Sequence, residues 1–211
     1  MSANRVERLV YWYLRFNGYL TVENFTVHPD FKKGREAEAD FLAVRFPWSK
    51  EEPRGYHFER DEEFVLSDRV DFVIGEVKSS QCAINENSWG NQEERHVQYA
   101  LEWMGFCSGP EEIEKIAKTL YESRVWSDGK YSVRFVCFGR YVNEQLKEEF
   151  PKMRQVCLER MVGFVYKRLT TGCNALHREN WDPFIRRIVE LMKLGLGPDK
   201  ILEWVLMKEI Q

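Results

Sequence analysis

Two short segments carry the residues best suited to chemistry, Glu38-Ala39-Asp40 and Glu76-Val77-Lys78. Each sits in a run that reads as a strand, 38–46 and 70–79. Strand side chains alternate faces. One face of the first run therefore carries Glu38, Asp40, Leu42, Val44 and Phe46, and one face of the second carries Val70, Phe72, Ile74, Glu76 and Lys78. Each face is apolar at three positions and charged at two, and a carboxylate on an apolar face is costly unless something pairs with it. Antiparallel pairing that matches apolar to apolar sets Phe46 against Val70, Val44 against Phe72 and Leu42 against Ile74. The same register sets Asp40 against Glu76 and Glu38 against Lys78.

Opposed Cβ atoms lie about 4.5–5.5 Å apart. Two carboxylates that close repel unless one is protonated or a cation lies between them, and a hard divalent ion with oxygen ligands suits that place. Asp40 and Glu76 would then hold an ion that activates water and stabilises a phosphoryl oxygen. Lys78 would orient the water or offset charge building on phosphate. Spacing alone leaves a second reading equally open: a Glu38–Lys78 cross-strand ion pair worth about 0.2–1 kcal/mol, with Asp40 solvated.

The elements that must position these residues follow from periodicity. Val6, Leu9, Val10, Tyr13 and Phe16 recur at helical spacing over 3–16, and Asn17-Gly18 ends that helix. Strands are expected over 19–27, 38–46, 70–79 and 131–139, the last apolar on both faces as a central strand is. A polar, acidic insertion spans 47–69. Helices are expected over 91–105, from Pro110 onward, and over 143–149, 153–169, 182–195 and 199–209. This order implies an α/β fold, a mixed sheet of four to five strands between helical layers. A core over 1–150 would carry a helical extension over 151–211.

The chain has 211 residues, 44% of them hydrophobic and 31% charged, with a formal net charge of −3. That excludes a disordered chain and one that coats nucleic acid by bulk charge. Residues 151–211 hold 11 basic and 7 acidic side chains against 20 and 27 in 1–150, so the tail is the basic part. No apolar run is long enough to span a bilayer, and the first residues lack the order of a signal peptide. Five dispersed cysteines without a CxxC read as reduced thiols in a cytoplasmic protein. Asp71 faces away from Glu76 and reads as a surface or edge acid. His96 reads as a surface histidine, and the seven tryptophans read mostly as core.

Glu38-Ala39-Asp40 on one strand and Glu76-Val77-Lys78-Ser79-Ser80 on the next resemble the PD-(D/E)xK, or restriction-endonuclease-like, nuclease superfamily. The element order over 3–140 is similar to that family's three-layer α/β/α core. The resemblance implies a nuclease using Mg²⁺ or Mn²⁺ on the phosphodiester bonds of nucleic acid, DNA foremost. It implies Asp40 and Glu76 as metal ligands, the Val77 carbonyl as a third, and Lys78 as the water-positioning lysine. It also implies a supporting glutamate on the first helix, Glu7, and a glutamine on the helix after the lysine strand, Gln98, with Gln92 as runner-up. Ala39 stands where the family name has proline. The long separation of Asp40 from Glu76 places the 47–69 insertion where it would gate or block a groove.

Two classes of function follow. In the first, the enzyme, Arg160, Lys167, Arg168, Arg178, Arg186 and Arg187 lie along the phosphate backbone. In the second, a catalytically silent protein of the same fold binds nucleic acid or another protein. Ile185, Ile188, Val189, Met192, Ile201, Leu202 and Val205 would then offer an apolar surface for a homodimer.

Overall fold

A computed structural model describes residues 5–27, 37–49, 59–64, 68–171 and 182–207. Cys173, Arg178 and residues 50–58 and 65–67 of the insertion lie outside the described residues. The chain runs α1 (Arg5–Phe16), β1 (Leu20–Val27), β2 (Ala37–Arg45), β3 (Val70–Val77), α2 (His96–Met104), α3 (Pro110–Ser123), β4 (Val125–Ser127), β5 (Tyr131–Gly139), α4 (Glu144–Glu149), β6 (Arg154–Cys157), α5 (Leu158–Thr171), α6 (Pro183–Lys193) and α7 (Pro198–Leu206).

The fold is α/β, with an open, mixed sheet in the order β1-β2-β3-β5-β4 and β6 also on β5. These six strands exceed the four to five expected, because the short β4 and β6 gain their strand form by pairing with β5. β1, β2 and β3 are antiparallel neighbours, whereas β3 and β5 are parallel. Two short strands share the far side of β5: β4 pairs antiparallel with residues 132–134, and β6 pairs parallel with 136–139. The β2–β3 register sets Leu42 against Ile74 and Val44 against Phe72, as matching apolar side chains predicts.

Helices cover both faces. Val6, Leu9, Val10 and Tyr13 of α1 pack with Met161 and Val165 of α5 over Phe41, Val73 and Phe138. Val97 and Leu101 of α2 pack with Ile113, Ile116 and Leu120 of α3 over Ile74, Val133 and Phe135. Burial of these stripes supplies most of the helical stability, because isolated helices this short are marginal in water.

Three other expectations change. The segment read as helix from 153 begins with β6, since pairing with β5 captures Arg154–Cys157 before α5 starts. The helix expected from 91 begins at His96, after a π-helical turn at Glu86–Gly90 and a tight turn at Gln92–Glu94, because Arg95 adopts a left-handed φ of 58°. The apolar residues assigned to a dimer surface are used within the chain: Ile185, Ile188, Val189, Ile201 and Val205 are buried in the α1/α5 core, and Met192 and Leu202 pack against it.

The tryptophans divide. Trp12 and Trp89 are buried, while Trp48 is 83% exposed and Trp103 71%. Cys82, Cys107, Cys137 and Cys157 are free thiols. Among the described residues no helix is long and apolar enough to cross a membrane.

The end of β5 is fixed by a close approach. A Cβ on Gly139 would lie 2.8 Å from both the backbone nitrogen and the sulfur of Cys82. Gly139→Ala is expected to destabilise the protein by about 1–3 kcal/mol, because backbone must move to admit the methyl group. The midpoint of urea unfolding would report it.

Candidate functional site

β3, β5 and β6 are parallel, so their carboxyl ends share one edge of the sheet, where ligands of open α/β sheets commonly bind. Glu76 and Lys78 stand at that end of β3. They share a face because they are two residues apart. The Lys78 Nζ donates to Glu76 Oε2 at 2.8 Å, and the Trp89 indole Nε1–H donates to Glu76 Oε1 at 2.8 Å. Glu76 is only 3% exposed, so these two donors are what make its burial tolerable.

Asp40 meets them from β2. The β2–β3 ladder ends at Phe41 and Gly75. Beyond it the Val77 amide donates to the Asp40 carboxylate, 2.6 Å away, instead of to a strand carbonyl. The side chain thus takes the ladder position at which the strands part. A strand residue's N–H and C=O point the same way, so the Val77 carbonyl faces the same gap. The expected pairs Asp40–Glu76 and Glu38–Lys78 are therefore not ladder pairs. Glu38 is exposed beside Thr26 of β1, and the lysine's ion pair is made with Glu76.

Electrostatics couple the three groups. Burial pushes the Glu76 carboxyl above the ordinary glutamate range; Lys78 opposes this, and the Asp40 charge adds to it. For Lys78, burial works against the ammonium, but the contact with Glu76 and the charge of Asp40 outweigh it, and its pKa is raised. A carboxyl raised on folding binds its proton more tightly in the native state. Its contribution to stability is complete below the ordinary value and is lost as pH rises through the folded value. In EDTA, the Glu76 ¹³C-carboxyl resonance is expected to titrate above about 4.3, and higher still in Lys78→Met. A midpoint at or below the ordinary value would contradict this electrostatic picture.

Trp89 was not evident from sequence spacing. It is held in turn by Arg124, whose guanidinium donates to the Trp89 carbonyl at 2.8 Å and to Glu86 at 2.9 Å. The available signal is chemical: a buried indole N–H needs an acceptor and a buried carboxylate needs donors.

The two supporting candidates lie on the helices α1 and α2. Glu7 lies in the first turn of α1, whose apolar stripe packs on the face of the sheet opposite Trp89. Gln98 is buried, but its amide engages α3. It donates to Glu114 at 3.3 Å and accepts from the Tyr121 hydroxyl at 3.0 Å. Gln92 and Gln98 line a separate groove of about 390 Å³ with Lys115, Lys118 and Tyr121.

Other assignments are corrected. Asp71 is fully buried and ion-paired with Arg134 at 2.7 Å, because the guanidinium and the Tyr19 hydroxyl replace its water. His96 is also buried, its Nδ1 2.7 Å from the Ser88 carbonyl. The basic tail is largely committed. Arg160 pairs with Asp61 and Glu62, Lys167 with Glu59 and Arg187 with Glu190, and Arg168 is buried. Residues 59–64 of the insertion thus pack on α5, and Phe64 joins the α1 core across the sheet from Trp89.

Among the described residues no group of three or more His, Cys, Asp or Glu side chains is arranged to hold a metal ion. The donors at the sheet edge are two carboxylates and one backbone carbonyl. That all-oxygen set fits an ion such as Mg²⁺, which binds through one or two carboxylates and keeps several waters. Lys78 and Trp89 each use one lone pair of Glu76, and a carboxylate has about four, so lone pairs remain for an ion. Comparison of the chain with protein-family models, with curated proteins and with solved structures finds no match.

Proposed function

We propose that the chain is a divalent-metal-dependent nuclease of the PD-(D/E)xK type, hydrolysing phosphodiester bonds of nucleic acid, with DNA the foremost substrate. The observation that carries this reading is the meeting of Asp40, Glu76 and Lys78 where β2 and β3 part. Asp40, Glu76 and the Val77 carbonyl would hold Mg²⁺ or Mn²⁺. When bound, that ion lowers the pKa of a water and stabilises charge on the phosphate. Lys78 supplies a fixed positive charge facing the same gap, suited to orienting the attacking water or offsetting charge on phosphate. Asp40 also fixes the backbone of Val77, so strand geometry and charge are set by one side chain.

A second reading has its own support. Both Glu76 oxygens already have donors within the chain, and the local acid count is small. This is what a silent member of the fold, binding nucleic acid or protein without turnover, would show. Incubation of the chain with single-stranded, duplex and branched DNA, and with RNA, separates the two. Cleavage in Mg²⁺ or Mn²⁺ that stops in EDTA is expected from the nuclease. Absence of cutting on every substrate selects the silent reading.

A further inference from the structure

We infer that Tyr141 and Arg140 form a stacking platform for an unpaired nucleobase, so that the substrate of the proposed site is single-stranded or locally unpaired nucleic acid. The inference rests on the phosphodiesterase reading above and names its substrate class. Its first support is position. Val77 and Phe138 are partners on parallel strands, and the Lys78 amide donates to the Phe138 carbonyl at 2.8 Å. Three residues beyond Phe138 the chain reaches Tyr141, on the same carboxyl edge as Lys78.

The second support is an aromatic ring that the core does not use. Tyr141 is 57% exposed, yet its backbone is fixed. It bridges to Gln81, and its carbonyl accepts from the Cys82 amide at 2.8 Å. The neighbouring Arg140 amide donates to Ser80 at 2.6 Å. Backbone ordering at a fixed site therefore costs little when a ligand arrives. The Arg140 guanidinium lies 5.0 Å from the centre of the Tyr141 ring and is exposed, combining a cation for phosphate with a π surface for a base. Exposed Ser79, Ser80 and Gln81 lie between Lys78 and Tyr141 and offer polar groups to a sugar–phosphate backbone.

The third support is charge. Duplex binding relies on many phosphate contacts. Here the net charge is −3, and Arg160, Lys167 and Arg187 are paired with carboxylates. Local stacking beside a few cations suits an unpaired strand better than a duplex.

The test measures binding of a fluorescein-labelled oligonucleotide of mixed sequence, single-stranded or as its blunt duplex, in EDTA so that nothing is cut. Tyr141→Ala is expected to lose roughly 5- to 150-fold in single-strand affinity, the range for one lost base–aromatic stack. Tyr141→Phe, which keeps the ring, should stay within about twofold of wild type on the same stacking argument. The ratio of single-strand to duplex affinity should collapse in the alanine variant alone. An alanine variant that binds like wild type, or loses equally on both forms, overturns the platform. If wild type still cuts nucleic acid with Mn²⁺ in that case, the nuclease reading survives without it. A wild type that neither binds nor cuts any nucleic acid removes both.

Discussion

Asp40→Asn is expected to lower Mn²⁺-dependent cleavage by at least about 10²-fold while leaving the melting temperature close to that of wild type. The magnitude is that of losing one well-placed electrostatic partner of the transition state. The asparagine keeps an oxygen that accepts from the Val77 amide, so the parting of β2 and β3 is retained while the charge is lost. Asp40→Ala separates the two roles. It should lose activity to a similar degree and also stability, by about 1–3 kcal/mol, because the Val77 N–H loses its acceptor. Lys78→Met should match the activity loss of Asp40→Asn if its ammonium acts on water or phosphate. Equal cleavage rates in wild type and Asp40→Asn would place the reaction outside this cluster.

The largest stability effect is expected at a site with no part in the chemistry. Asp71 is fully buried between the Arg134 guanidinium, at 2.7 Å and 3.2 Å, and the Tyr19 hydroxyl. Arg134 also donates to the Glu63 carbonyl at 3.1 Å and lies over the Phe64 ring, so the pair ties β3, β5, the insertion and Tyr19, which leads into β1, together. Removing one partner of a buried pair strands the other charge and typically costs about 3–5 kcal/mol. Asp71→Ala should therefore lower the melting temperature by roughly 6–20 °C for a chain of this size. A shift within about 2 °C would show that the pair contributes little beyond its own desolvation cost.

These two acids show what the sequence makes legible. The β2–β3 register follows from Leu42, Val44, Phe72 and Ile74, because a shift of one residue would turn every apolar side chain to the wrong face. The same alternation brings Asp40 near Glu76. It does not reveal that Asp40 leaves the ladder to accept from Val77, since a side chain's choice of a backbone partner has no periodic signature. In the sequence Asp71 reads as a surface acid because its partners, Arg134 and Tyr19, lie 63 and 52 residues away along the chain. Trp89 escaped for the same reason, as its contact with Glu76 depends on a turn held by Arg124.

Local pattern also failed where tertiary pairing overrides it. Arg154–Cys157 is four residues long and runs directly into α5, so only β5 makes it a strand. The sequence shows apolar faces on α6 and α7, but their periodicity does not distinguish a partner chain from the chain's own α1 and α5. The excess of basic side chains in the tail was likewise real in count. Its meaning changed because Asp61, Glu62 and Glu59 of the insertion fold back onto Arg160 and Lys167.

The central claim is that Asp40 and Glu76 form a metal centre rather than a structural cluster closed by Lys78. Titration of the chain with Mn²⁺, followed by loss of the free ion's electron paramagnetic resonance signal, tests it most directly. Saturable binding by wild type, abolished in both Asp40→Asn and Glu76→Gln, is the predicted result. Binding that persists unchanged in those two variants, or a wild type that binds no Mn²⁺, would contradict it.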